Sequence, residues 1–318
     1  MMKKSLVALA VIAASGMAMA QSSVTLYGVA DAGIGRNKIA DGDAAKTRVT
    51  TGGEAVNNGP SRVGFTGVED LGNGNKVGFQ FETGLSLADG STDDPFWQRQ
   101  ANVFIGGGWG TIKAGRQLTV THLTEGAYDL TGLANYSVVR NTYRALQIGA
   151  RADAALAYIS PNMGGLTAAV AFVSKNNTGL GHNVWDLGVM YNNGPLGAGL
   201  SVNKGLDNGK TNYQLGAKYG FGSFTVAASY HNASNNFKLV GLPEGVRRGF
   251  SLGASANMGA FTVTADFTRD TKNEWGAKKY TNGVLEAKYA LSKRTFLYAD
   301  FLRFDGTNNW GLGIHHSF

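Results

Sequence analysis

The sequence predicts an all-β protein, a transmembrane 16-stranded antiparallel β-barrel, and three observations predict it. A two-residue rhythm of large apolar and small or polar side chains recurs through most of the chain, as in Trp310, Leu312, Ile314 and Phe318 set between Gly311, Gly313, His315 and Ser317. Connections between the strand-like segments alternate between short turns and longer polar stretches. Forty-six glycines, five prolines and no cysteine accompany a 10% aromatic content, which suits many strands and turns and argues against disorder.

The first residues form a removable address. Met1-Met2-Lys3-Lys4 is basic, Leu6 to Ala14 is apolar, and Ala18-Met19-Ala20 is a small-residue cleavage pattern, the layout of a secretory signal peptide over residues 1–20 with Gln21 as the mature start. Leu6 to Ala20 is shorter than the ~20 residues a spanning helix needs. Removing Lys3 and Lys4 lowers the formal charge from +7 to +5. Residues 21–318 then form one barrel. An exported chain without cysteine must draw its stability from burial and backbone pairing.

Strand segments then follow one another with no helical pattern of any length between them. Leu166, Ala168, Val170 and Phe172 alternate with Thr167, Ala169 and Ala171; Leu196, Ala198, Leu200 and Val202 with Gly197, Gly199, Ser201 and Asn203. Tyr213, Leu215, Ala217 and Tyr219 alternate with Asn212, Gln214, Gly216 and Lys218, and Phe224, Val226, Ala228 and Tyr230 with Thr225, Ala227, Ser229 and His231. Phe261, Val263, Ala265 and Phe267 alternate with Thr262, Thr264, Asp266 and Thr268. Successive side chains of a strand point to opposite faces, so each segment has an apolar and a polar face. Turn signals at 72–75, 106–108, 161–164, 192–194 and 291–293 alternate with polar stretches at 37–58, 87–97, 118–148, 175–183 and 234–246. Short turns at one rim and long loops at the other are the asymmetry of an outer-membrane barrel.

A soluble sandwich also alternates. Here the polar face carries charges in strand after strand while the other carries aromatics near strand ends, which fits a wet lumen and interfacial girdles. The modest positive charge is not gathered into runs, so nucleic-acid binding is not expected. The five histidines lie on separate elements apart from His315 and His316, and no metal-ligand spacing or phosphate loop is present. No enzyme, cofactor or metal is expected.

Several stretches go beyond composition: Ser22–Asp31 opening the mature chain, Ser61–Gly72 running into Phe79-Gln80-Phe81-Glu82, Gly115-Arg116-Gln117 before the longest loop, Leu291–Thr295 before the last hairpin, and Phe318. Together they resemble the general porins of Gram-negative bacteria, nearest to the anion-selective porins of β-proteobacteria. The resemblance implies a homotrimer of barrels in the outer membrane, surrounded by its lipid, each with an aqueous pore for passive diffusion of ions and small hydrophilic solutes. It also implies that the third loop, 118–148, folds inward as the constriction loop, and that Phe318 is a C-terminal signal for the outer-membrane assembly machinery.

Parity places Arg62 with Gly64 and Thr66 on the lumen face, and Arg151 with Asp153, opposite Ala152, Ala154 and Leu156. Alternation is poor around Arg99, which rests on its match to the basic cluster of the resembling porins. These three are the expected basic residues of the constriction. Glu82 is the expected partner on the wall, and Glu125 and Asp129 are expected to face the cluster from the loop, whose far end carries Arg140 and Arg144. Lys113, Lys218 and Lys288 add positive background against Asp186, Asp266, Glu286 and Asp300, which predicts a moderate anion preference. Arg116 is expected at a rim or interface. With Arg99 inward, Gln100 and Asn102 would lie on a mixed outer face suited to a protein neighbour.

Overall fold

The structure is a computed structural model and describes residues 23–143, 149–178, 183–205, 210–234, 245–276 and 278–318. The expected signal peptide and Arg144 lie outside the described residues. Among these, seventeen strands form one sheet: β1 Ser23–Arg36, β2 Arg48–Thr51, β3 Arg62–Gly72, β4 Asn75–Gly84, β5 Gln100–Gly107, β6 Gly110–Leu118, β7 Arg151–Ile159, β8 Leu166–Val173, β9 Val184–Asn193, β10 Leu196–Gly205, β11 Asn212–Phe221, β12 Phe224–Ser234, β13 Val246–Met258, β14 Phe261–Asn273, β15 Thr281–Ala290, β16 Thr295–Phe304 and β17 Thr307–Ser317. Every pairing is antiparallel, each strand from β3 to β17 pairs with the next, and β1 pairs with β17 from Val29↔Ser317 to Arg36↔Trp310, which closes the cylinder. Helices are short: α1 Lys38–Asp41, α2 Val120–Glu125, α3 Val138–Tyr143 and α4 Lys175–Thr178.

Seventeen strands fill sixteen wall positions. The far edge of β1 pairs first with β3, from Ser23↔Val68 to Val29↔Arg62, and then with β2, from Ala32↔Thr51 to Gly35↔Arg48. β2 and β3 therefore share one place in the wall. The chain between them lies largely within the polar stretch 37–58, and its last part turns into the barrel, where Val56 and Asn57 are fully buried. There the Asp31 carboxylate collects Tyr298 Oη (2.7 Å), Asn57 Nδ2 (3.2 Å), Gly59 N (3.2 Å) and His315 Nδ1 (2.9 Å). These side chains hold the wall where the ladder is interrupted.

Burial is the reverse of a water-soluble sheet protein. Leu200, Leu215, Leu252, Phe267, Leu285 and Leu312 point outward and are exposed, whereas Asp186, Ser201, Gln214, Thr264, Glu286 and Asn309 on the opposite face are almost fully buried. The sequence parity is reproduced in β8, β10, β11, β12, β14 and β17. Strands can lie in lipid this way because the closed ladder pairs the backbone groups of neighbouring strands and leaves no open edge. Exposed and half-buried aromatics gather at two levels. Tyr219–Phe221 and Phe261–Tyr289 sit by the short turns, and Phe172–Trp185 and Phe81–Trp97 by the long loops.

The connection between β6 and β7, the fifth and sixth wall positions, fills much of the interior. Its α2 packs on β8 to β11 and its α3 on β12 to β16. Thr119 caps α2 by accepting from His122 N at 3.3 Å. Thr121 donates to Asp186, and Asn203 and Gln214 donate to Thr121. At the other end Thr142 bonds Thr268 (2.9 Å) and Asn282 (3.0 Å), and Tyr143 donates to the carbonyls of Phe250 and Arg269. The close approach is possible because the wall is glycine where α2 and the chain after it come nearest. A Cβ at Gly199 would lie 2.6 Å from the Thr124 carbonyl oxygen, one at Gly197 2.4 Å from that of Ala127, and one at Gly216 2.6 Å from the Tyr128 ring. Gly199→Val is therefore expected to unseat the segment while the wall stays paired. Overpacking costs of about 1–3 kcal/mol make protease cleavage within 119–143 about tenfold faster in detergent micelles, with strand fragments still protected; unchanged cleavage would refute the seating.

Candidate functional site at the inner wall

The inner face of β3, β4 and the neighbouring strand starts carries a basic cluster built on one acid. Glu82 lies opposite Gly64 in the β3–β4 register, so its carboxylate enters the lumen over a position with no side chain. Arg99 Nε donates to its Oε1 at 2.7 Å, Arg151 Nη2 is 3.8 Å from the same oxygen, and Arg62 Nε is 3.8 Å from Oε2. Tyr27 Oη donates to Oε2 at 3.0 Å and accepts from Gln80 Nε2 at 2.8 Å, and Lys113 Nζ reaches Gln80 Oε1 at 3.3 Å. Three guanidinium groups stay charged at any relevant pH and share one carboxylate, so the cluster carries a surplus of two positive charges before Lys113 is counted. Glu82 is 5% exposed at its side chain, whereas Arg62 keeps 28%. The acid is the buried hub, and Arg62 meets solvent.

Arg62 follows from parity. Arg99 precedes β5, and its own N–H donates to Glu82 O at 3.2 Å, so a bend directs it inward where alternation gave no direction. That geometry corrects the expected outer face: Gln100 and Asn102 are buried on the lumen side, in register with Glu82 and Gln80, while Val103 and Ile105 face out. Arg151 reaches the cluster, but the alternation expected at the start of β7 fails, since Ala152 is buried and Asp153 is exposed. The register shifts between Gly115 and Gln117, Ala154 takes φ +45°, and both Ala152 and Ala155 are buried. This bulge turns Asp153 outward, where it pairs with Arg116. Arg116 is accordingly an outer-face residue.

The interior segment brings further charges. His122 on α2 is pushed down to about 3 by burial and then by Arg140, Arg151 and Arg99, so its ring is neutral at physiological pH. Glu125, at the end of α2, is pushed up to about 8, first by burial and then by Asp129, with Arg140 pulling the other way. Asp129 does not face the arginines. Its carboxylate accepts from Thr131 N and Oγ1 (both 2.7 Å), Leu133 N (3.3 Å) and Ser137 Oγ, which folds the segment on itself. Arg140 donates to Leu133 O at 3.3 Å.

The wall acids lie elsewhere. Glu286 faces Asp300 directly across β15–β16, and both are buried, as are Asp266 and Asp186. Lys288 Nζ joins Glu286 Oε2 (2.9 Å) to the carbonyl of Thr131 (3.1 Å). Lys218 lines the wall beside Gly197, whose added Cβ would meet its chain. Phe318 packs its ring over Gly28 on the outside, with two backbone bonds of 3.1 Å between them. Tyr27, Gln80, His122 and the Asp31 group were not singled out by sequence. The face shared by Tyr27, Val29 and Asp31 was the available signal for two of them.

A closed cylinder with a lipid-facing exterior, a polar interior and an inserted segment defines a channel-forming outer-membrane protein. A model of the Gram-negative porin family matches residues 5–309, and the chain belongs to that family, whose members are channels and not enzymes. Outer membrane porin protein 32 of Delftia acidovorans is 39% identical over 239 residues, 70% of this chain and 67% of that protein. An anion-selective porin from Comamonas acidovorans has the same fold with a TM-score of 0.76 at 24% identity, over 94% of this chain and 100% of that one. OmpT of Vibrio cholerae in its trimer form superposes with a TM-score of 0.67 at 15% identity, over 93% and 99%.

The raised Glu125 carboxyl predicts a pH dependence of ion preference. A carboxyl held near 8 is neutral at pH 7 and gains its negative charge as pH rises through 8. The anion-to-cation permeability ratio is expected to fall about twofold between pH 7 and pH 9, the effect of one screened unit charge at ~10 Å. Planar-bilayer reversal potentials measure it, and Glu125→Gln should reduce the change over that interval; a slope unaltered by the substitution would contradict the assignment.

Proposed function

We propose that the chain is a diffusion porin with a moderate anion preference, set where Arg62, Arg99 and Arg151 face the water-filled side of the barrel. The convergence of three guanidinium groups on the single carboxylate of Glu82 carries the reading. A surplus of fixed positive charge in a narrow, partly desolvated passage raises local anion concentration and lowers that of cations over a Debye length of ~8–10 Å. Glu82 holds the arginines extended, so little side-chain ordering accompanies passage of a solute. The segment 118–148 acts as the constriction loop, with its seat on β8 to β16 leaving the β3–β7 side for water. Lys113 strengthens the basic side, and the wall acids beneath the segment moderate it.

The related solved structures support the finer points. One is described as anion-selective and one as a trimer, and this chain on the same reading is a homotrimer passing small ions and hydrophilic solutes. Residues 1–20 serve as its cleaved export signal, and the strand ending in Phe318 is the part offered to the outer-membrane assembly machinery. The expectation is testable by reversal potentials in a salt gradient. Replacing Arg62 and Arg151 by glutamine should lower the anion-to-cation permeability ratio about fourfold, two screened charges at ~10 Å, with single-channel conductance for small salts retained. Cation preference in the unaltered protein, or an unchanged ratio in the variant, would reject the reading.

A further inference from the structure

The two carboxylate oxygens of Glu82 are shared unequally. Oε1 accepts from Arg99 Nε at 2.7 Å, with Arg151 Nη2 3.8 Å away. Oε2 is taken by a neutral donor, Tyr27 Oη at 3.0 Å. Arg62 Nε stops 3.8 Å from that oxygen, beyond hydrogen-bond distance, and Arg62 Nη1 donates instead to the carbonyl of Pro60 at 3.0 Å. Arg62 keeps 28% of its side chain exposed, against 13% for Arg99 and 19% for Arg151. Of the three guanidinium groups it is the one a passing solute meets most fully.

The direction of the Tyr27 hydrogen bond is dictated from outside the cluster. A lysine ammonium can only donate, so the Gln80 atom 3.3 Å from Lys113 Nζ is the carbonyl oxygen, and the amide nitrogen is turned to Tyr27 Oη at 2.8 Å. The phenol oxygen accepts there and sends its single proton to Glu82. Bonds in such a chain polarise one another in the same sense, and the last, ending on a carboxylate, is charge-assisted. Register gives Tyr27 its reach. Tyr27, Gly64 and Glu82 lie in one row across β1, β3 and β4. The phenol crosses the middle strand over Gly64, where a Cβ would lie 2.6 Å from Tyr27 Cζ and 2.7 Å from its Oη.

We infer that Tyr27 is a specificity-determining positioning residue: its hydroxyl occupies the Glu82 oxygen nearest Arg62 and so leaves that arginine's charge facing the passage. This role rests on the anion preference proposed for the cluster, and it assigns which arginine acts on solutes and what keeps it free. Without the hydroxyl, the buried Oε2 loses its close donor. An unsatisfied buried carboxylate oxygen is costly, which draws Arg62 Nε across the remaining gap. A cation that faced solvent then becomes half of a closed ion pair. No guanidinium group and no carboxylate is removed, so the net charge of the cluster is unchanged and only its disposition shifts.

The test compares reversal potentials in a salt gradient for the purified full-length protein, Tyr27→Phe, Arg62→Gln and the double variant. Tyr27→Phe should lower the anion-to-cation permeability ratio about twofold, to the level of Arg62→Gln, the effect of one screened charge at ~10 Å. In the Arg62→Gln background the same change should add nothing, because the two act through one group. Gly64→Ala, which displaces the phenol while keeping its hydroxyl in the chain, should reproduce the lowering. Heat-modifiable gel mobility reports that each variant remains a folded barrel. A tyrosine that only packs the wall would act equally in both backgrounds, and that result would overturn the positioning role. A wild-type ratio in Tyr27→Phe beside a lowered one in Arg62→Gln would overturn it too, while leaving the cluster's role intact. A wild-type ratio in Arg62→Gln would overturn both.

Discussion

Closure of the hydrogen-bond ladder is the constraint on which everything else rests. Unpaired backbone groups in hydrocarbon cost several kcal/mol each, so a sheet can sit in lipid only when its first strand finds its last. Here the β1–β17 register supplies that join. Once it is made, the outward residues need no protein partner, and the inward residues are free to be polar. The inversion of burial follows directly, with exposed leucines and phenylalanines outside and buried aspartates, asparagines and serines within.

A closed cylinder of sixteen wall positions is wider than its own side chains can fill, and the interior is furnished by chain. Two segments enter. The one between β2 and β3 is held by Asp31, Asn57, Tyr298 and His315; the one between β6 and β7 by Asp186, Gln214, Thr268 and Asn282. In both, these buried wall groups find partners on the inserted backbone or side chains, which offsets part of their desolvation. A small apolar facet contributes as well, where Val120 packs on Ala157, Ala169 and Ala171. Charges sort accordingly. The carboxylates of β14–β16 lie beneath inserted chain, and the guanidinium groups of Arg62, Arg99 and Arg151 gather on the other side around Glu82.

Much of this was legible in the order of residues, for a physical reason. Parity is local, so alternation from Leu196 to Asn203 or Phe261 to Thr268 fixed which side chains face lipid without knowledge of any neighbour. It placed Arg62 correctly for the same reason. It failed where the backbone departs from a regular strand: the bend that turns Arg99 inward, and the start of β7, where Ala152 is buried and Asp153 faces out although Arg151 reaches the cluster. The partners of Asp129 were also hidden, because its hydrogen bonds depend on how the inserted segment folds upon itself. The Asp31 group was missed because its members come from positions 31, 57, 298 and 315 and meet only when the cylinder closes.

The glycines under the inserted segment have one more consequence. Gly197, Gly199 and Gly216 locate that segment by offering no atoms, and none of them bears charge or touches the arginines. The segment's seat and the arginine cluster thus lie on different strands, the first on β10 and β11, the second on β3, β4 and the chain entering β5 and β7. A substitution at one of these glycines would therefore shift the inserted chain without removing any guanidinium group from around Glu82.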